Sequence, residues 1–290
     1  MRRSAINWGA ALIAASLSLC VASEAAADDG DGLQWSPRFS RFSTAQYGLS
    51  LAMLGGIVAS NEWLQTPNEP GWRSDNALDH SARSLLSASS PSGRATASQV
   101  SDYMALGLVI YPFAVDTALV AGLGHGNYDV AFQMAMIGAQ AVMTAKLISG
   151  FTKVFVGRAR PDSEGCSSND EPGCGTFNES FVSGHTTTAF VGAGLICAQH
   201  QNLALYGDGP LGAIACGTSL VAATAVGTLR MVADRHHFTD VLGGALVGLG
   251  SGYLLPNLLN YNFGADRASH GQIAPYVDDS GVGLTYNRAF

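Results

Sequence analysis

The stretch Leu229-Arg230-Met231-Val232-Ala233-Asp234-Arg235-His236-His237-Phe238-Thr239-Asp240 joins two apolar segments, 211–232 and 238–260. Both are too long for strands, so they read as helices meeting at a short charged turn. Outward from this point the same texture recurs at 43–64, 99–124, 129–156 and 184–200, with Gly, Pro or Asn between most segments. Six helices with mostly short connections predict an all-α helical bundle. Residues 65–98, rich in Pro, Ser, Gly and Asn, read as a long loop with one short helix near 76–86. The last helix carries Gly244, Gly248 and Gly252 at four-residue intervals. With no strand before them, these glycines suit close helix packing better than a nucleotide loop. The tail alternates about Asp278-Asp279-Ser280-Gly281 and predicts a small β-hairpin, 272–277 against 282–289.

Of the 290 residues, 47% are hydrophobic and only 13% charged, against ~25% charged in ordinary soluble domains. Such a composition suggests tightly packed helices, a membrane protein, or both. The net charge of −7 provides no basic surface, which argues against nucleic acid as a partner. Lys146 and Lys153 are the only lysines, so an anion site must draw on few cations. Arg2 and Arg3, the apolar run 10–21 and Ala25-Ala26-Ala27 before Asp28 read as a cleaved export signal. The chain then divides into a signal peptide (1–27), an N-terminal helix and polar loop (28–98), a helical core (99–262) and a tail with the hairpin (263–290). In an oxidising compartment Cys166 and Cys174, eight apart in a polar loop, are the disulfide candidate. Cys197 and Cys216, in apolar stretches, read as buried thiols.

Three short stretches carry chemistry. Lys153 and Arg160, seven apart before Pro161, are placed to point the same way at the end of one helix. Ser183-Gly184-His185 opens another helix, whose N-terminal amides suit a phosphate. His236 and Asp240, four apart, face each other across one turn, where the carboxylate is able to hold one ring nitrogen and free the other as a nucleophile. In an up-and-down bundle all three stretches share one pole.

Together they resemble the three-part signature of the type-2 phosphatidic acid phosphatase and vanadium haloperoxidase superfamily: K-(six)-RP, PSGH, SR-(five)-H-(three)-D. The resemblance spans about 129–260. It departs from the signature at Val182, where proline is usual, and at Leu229, where serine is usual. It implies a phosphatase without cofactor or metal. His236 forms a phosphohistidine, Asp240 fixes its tautomer and His185 acts as acid and base. Lys153, Arg160, Ser183, Gly184 and Arg230 bind the phosphate. The implied partner is a phosphorylated small molecule or lipid phosphate. The same pocket also serves vanadate-dependent haloperoxidases, and a non-catalytic phosphate binder is a third alternative. Arg158, Asp234, Arg235 and His237 fall outside the signature. Asp116 and Lys146 interrupt two apolar segments, which favours a periplasmic globule, soluble or membrane-associated, over an integral protein with its site facing the periplasm.

Overall fold

A computed structural model describes residues 32–64, 66, 69–73, 76–163 and 176–261, and the backbone of 272–278 and 281–287. Helix α1 (Thr44–Trp63) starts at Ser43, whose hydroxyl accepts from the Gln46 N–H while the Gln46 side chain accepts from the Ser43 N–H. Asn76 caps α2 (Ala77–Leu86). Helix α3 (Pro91–Tyr111) continues as a π-helical stretch, Pro112–Gly124. Then come α4 (Tyr128–Val156), α5 (Gly184–Asn202), α6 (Leu211–Val232) and α7 (Phe238–Leu249). Helix α7 runs through a π-helical turn, Gly250–Leu254, into α8 (Leu255–Leu259). The fold is all-α, as the length of the apolar segments predicts. In the tail, β1 (Gln272–Asp278) pairs antiparallel with β2 (Gly281–Asn287), Val277 opposite Val282.

Helix α3 begins at Pro91 rather than at 99. Ser90 accepts from the Gly93 N–H, and Pro91 at the first helical position carries a φ already suited to a helix. A Pro-Ser-Gly stretch that resembles a loop is therefore a helix start, and residues 91–98 extend α3 by two turns.

Helix α5 is the axis. Helices α3, α4, α6 and α7 pack on it, and its residues from Thr186 to Gln199 are almost all buried. Glycine permits that crowding. A Cβ at Gly244 would lie 2.7 Å from the Ser183 carbonyl, one at Gly248 2.6 Å from the Phe190 Cβ, and one at Gly252 would overlap the Val191 carbonyl. The four-residue glycine spacing is a packing seam.

Cys197 of α5 and Cys216 of α6 form a disulfide, with Cα atoms 4.4 Å apart. This corrects the expectation of two buried thiols: α5 and α6 are consecutive, tightly packed helices, and the two sulfurs meet across their interface. The candidate pair Cys166 and Cys174 and the export signal 1–27 lie outside the described residues.

Four helical stretches are long and apolar enough to cross a membrane: Pro91–Gly124, Tyr128–Val156, Leu211–Val232 and Phe238–Leu259. No more than 39% of each apolar window is buried, and Tyr103, Leu123, Phe132, Val221 and Leu246 all face outward. Apolar faces of that extent mark a surface that meets lipid or a partner, and the chain is membrane-associated. Asp116, expected to oppose this, is fully buried and accepts a hydrogen bond from the Tyr206 hydroxyl at 2.8 Å. A carboxylate turned into the bundle costs the lipid-facing surface nothing.

Candidate active site

Four helix ends and one extended segment build the pole. Helix α4 stops at Gly157, not at Pro161. Gly157 takes the left-handed conformation (φ 53, ψ 45) and its N–H closes on the Lys153 carbonyl. Lys153 thus stays on the last turn, while Arg160 lies on an extended segment whose Arg158 bridges Trp72. The two cations do not share a helix face, as seven-residue spacing would predict; the chain bends between them. Lys153 is nevertheless beside the start of α5. A Cβ on Gly184 would sit 3.5 Å from its Nζ, and Glu179 lies 3.8 Å away.

Ser183 caps α5. Its hydroxyl accepts from the Thr186 hydroxyl at 2.9 Å, and its N–H donates to the Asp240 carbonyl at 3.0 Å, tying the start of α5 to the start of α7. One turn away, the Nε2 of His185 is 2.9 Å from Oδ1 of Asp102 on α3. The same oxygen accepts from Arg230 at 3.0 Å, and Arg230 also donates to the hydroxyls of Ser98 and Ser101. Hydroxyls from α3 therefore stand at the pole in a chain whose third motif has Leu229 in place of serine. Val182, in the usual proline position, is buried, and a Cβ on Gly243 would lie 2.9 Å from it. Packing holds that turn.

His236 is buried, with Nδ1 2.9 Å from the Ser180 carbonyl. A carbonyl only accepts, so Nδ1 carries the hydrogen and Nε2 presents a lone pair, 3.5 Å from an Arg160 nitrogen. Asp240 is not the direct partner expected from the four-residue spacing. Its carboxylate is 3.8 Å from Nδ1, too far for a hydrogen bond. Its place at the third position of α7 turns it back onto the His237 N–H at 2.8 Å, and it accepts from the Ser180 hydroxyl at 2.5 Å. Asp240 thus holds Ser180, whose carbonyl holds His236.

Burial pushes the His236 imidazole down to about 3, and nearby Arg160 adds to this. His185 is lowered to about 4 by burial and by Arg230, against the pull of Asp102. Burial, with Arg235 adding, brings Arg160 down to about 10. Near neutral pH the pole therefore holds two uncharged imidazoles among fixed cations, an arrangement suited to an anion.

Residues 134–263 match the model of the PAP2 superfamily. The chain is 28% identical over 137 residues to a PA-phosphatase related-family protein of Dictyostelium discoideum, 45% of this chain and 50% of that one, and so spans about half the relative's length. The crystal structure of a transmembrane PAP2 type phosphatidylglycerolphosphate phosphatase from Bacillus subtilis is similar at a TM-score of 0.46 and 20% identity, covering 73% of this chain and 94% of that one.

Three residues around this pole escape motif reading. Arg158 is fully buried; one guanidinium nitrogen donates to Asp240 at 2.6 Å and to Thr239 at 2.6 Å, another to Asp79 at 2.6 Å, and the group stacks 3.8 Å over Trp72. Asp79, on α2, also accepts from the Thr239 N–H at 2.9 Å. Asp102 is the third. Its signal is visible only in retrospect: an acid closing the polar run Ser98-Gln99-Val100-Ser101 at the head of an apolar helix. Asp234, outside the signature, adopts a left-handed conformation (φ 59) and receives Arg83 and Arg94 at 2.8 and 2.9 Å. It clamps α2 and α3 to the turn that carries His236.

Proposed function

We propose that the chain is a phosphatase of phosphomonoesters, lipid phosphates among them, that works through a phosphohistidine on His236. The observation that carries this is the state of His236: buried, with Nδ1–H held by the Ser180 carbonyl and Nε2 left with its lone pair beside Arg160. Nε2 attacks phosphorus as the bond to the leaving oxygen breaks, and His185 supplies the proton to that oxygen. Water then attacks the phosphohistidine, giving its proton to His185. Lys153, Arg160 and Arg230 neutralise the phosphoryl oxygens, with Ser183 and the Gly184 amide at the helix start. Three fixed cations supply the charge that a magnesium ion supplies elsewhere, so turnover is expected to resist chelators.

The four apolar stretches support an integral placement, with the pole at one face of the bilayer and export of the chain as the expectation from its leader. The deciding experiment follows phosphate release by the purified chain in detergent with excess chelator, beside His236→Ala, on p-nitrophenyl phosphate and dispersed phosphatidate. Release that vanishes in the variant, with an acid-labile phosphoenzyme trapped only in the wild type, is the expected result. Release that survives the substitution removes His236 as the nucleophile. Turnover of bromide and peroxide after vanadate loading, with no phosphate release, would instead make the pole that of a haloperoxidase.

A further inference from the structure

We propose that Asp102 is the positioning partner of His185, accepting from its Nε2–H so that the ring's other nitrogen is the acid that protonates the leaving oxygen. The inference rests on the phosphatase reading above. Asp102 belongs to none of the three motifs; it lies on α3, three turns from the start of that helix at Pro91. One of its oxygens is 2.9 Å from Nε2 of His185 and 3.0 Å from Arg230.

The charges around His185 explain why a carboxylate is needed there. It is faced by Arg230 from α6, by Lys153 and Lys146 from α4 and by Asp102 from α3. Glu179, on the loop before α5, is paired with Lys153. Cations disfavour the imidazolium, yet an acid must be protonated before it donates. Asp102 is the anion in contact with the ring, and it opposes the three cations directly. By taking the Nε2–H it also decides which nitrogen is left for chemistry, as a carboxylate behind a catalytic histidine does in general.

The step balances. As the bond from phosphorus to the leaving oxygen breaks, its electron pair stays on that oxygen and takes the proton from the second ring nitrogen of His185. The imidazolium becomes a neutral ring that keeps its Nε2–H on Asp102. In the second half the same nitrogen takes a proton from water as the water oxygen bonds phosphorus and the bond from phosphorus to His236 breaks. Because Asp102 also holds Arg230, one carboxylate sets the acid and a phosphate-facing cation relative to each other.

The test uses the full chain in detergent. Ring-nitrogen NMR follows the His185 titration, assigned with His185→Gln, in wild type, Asp102→Asn and Asp102→Glu. The midpoint is expected to fall by about one unit or more in Asp102→Asn and to recover in Asp102→Glu. For an alkyl phosphate, whose leaving oxygen needs the proton, kcat should fall about 10²-fold or more in Asp102→Asn. For p-nitrophenyl phosphate it should fall far less. The high-pH limb of kcat should move to lower pH, since an acid with a lower pKa loses its proton sooner as pH rises. An unmoved midpoint, or equal losses on both substrates, overturns the proposal. A wild type without His236-dependent turnover overturns the phosphatase reading and the acid role with it, while the titration still decides whether Asp102 partners His185.

Discussion

Arg158 joins two carboxylates, Asp79 from α2 and Asp240 from α7, each at 2.6 Å. Removing one member of a buried ionic set strands the others, at a cost of about 3–5 kcal/mol. Arg158→Ala should therefore lower the unfolding midpoint in detergent markedly. Arg158→Lys should rescue it poorly, because an ammonium cannot span two carboxylates as the planar fork does; full rescue by lysine would show that charge alone suffices. The two histidines set a pH profile with a definite sign. His236 must be neutral to attack, so kcat/KM should rise as pH climbs through about 3. His185 must be charged to donate, so kcat/KM should fall above about 4. A free-enzyme profile that peaks above neutrality would contradict the acid role of His185, and one with no rising limb at low pH would contradict the nucleophile role of His236. The residues of the three motifs were legible because each motif is local, its spacing carried by a turn or a helix end. Asp79 and Asp102 were not, since their partners lie 79 to 160 positions away and only the tertiary fold brings them together.

At the scale of elements, the length of the apolar segments and the Gly, Pro and Asn between them placed five of the longer helices to within a few residues, because an apolar run too long for a strand can bury its side chains and satisfy its backbone only as a helix. The start of α3 was missed because Ser90 and Pro91 promote loops and helix starts alike. The disulfide was missed for a different reason. Which side of α5 faces α6 depends on the three-dimensional register of two helices whose hydrophobic residues surround them almost evenly. The glycine seam, by contrast, was legible, and it yields a prediction. Gly248→Leu would drive a branched side chain into Phe190 and the α5 backbone, which a Cβ alone already crowds at 2.6–2.9 Å. Overpacking of this kind costs about 1–3 kcal/mol or more. Loss of folded protein is expected, whereas Gly250→Ala, where a Cβ meets nothing within 4 Å, should be tolerated. Equal stability of the two variants in a thermal shift assay would disprove the seam.

For the whole molecule, the outward apolar faces predict behaviour in the membrane. The chain should stay in the membrane pellet after alkaline carbonate and leave it only with detergent; release by carbonate would place it on the bilayer and not across it. Helix α3 and its π-helical continuation together have 34 residues, a length of ~51 Å at 1.5 Å per residue against a hydrocarbon core of about 30 Å. If the helix spans, the excess is expected to stand clear of lipid at the end where Arg94 and Arg83 meet Asp234.

The disulfide adds a mechanical property. Cys197 lies 12 residues along α5 from His185, and Cys216 lies 14 residues along α6 from Arg230. These are lever arms of roughly 18 and 21 Å from a covalent pivot. With the far ends pinned, the two helices cannot slide past one another, and the relative motion left to them is a scissoring about the sulfur bridge. A tilt of only about 3° at the pivot displaces the working ends by about 1 Å, a shift that in an active site is worth about a hundredfold in rate. The pair behaves as a pair of tweezers, in which the joint sets the precision of the tips.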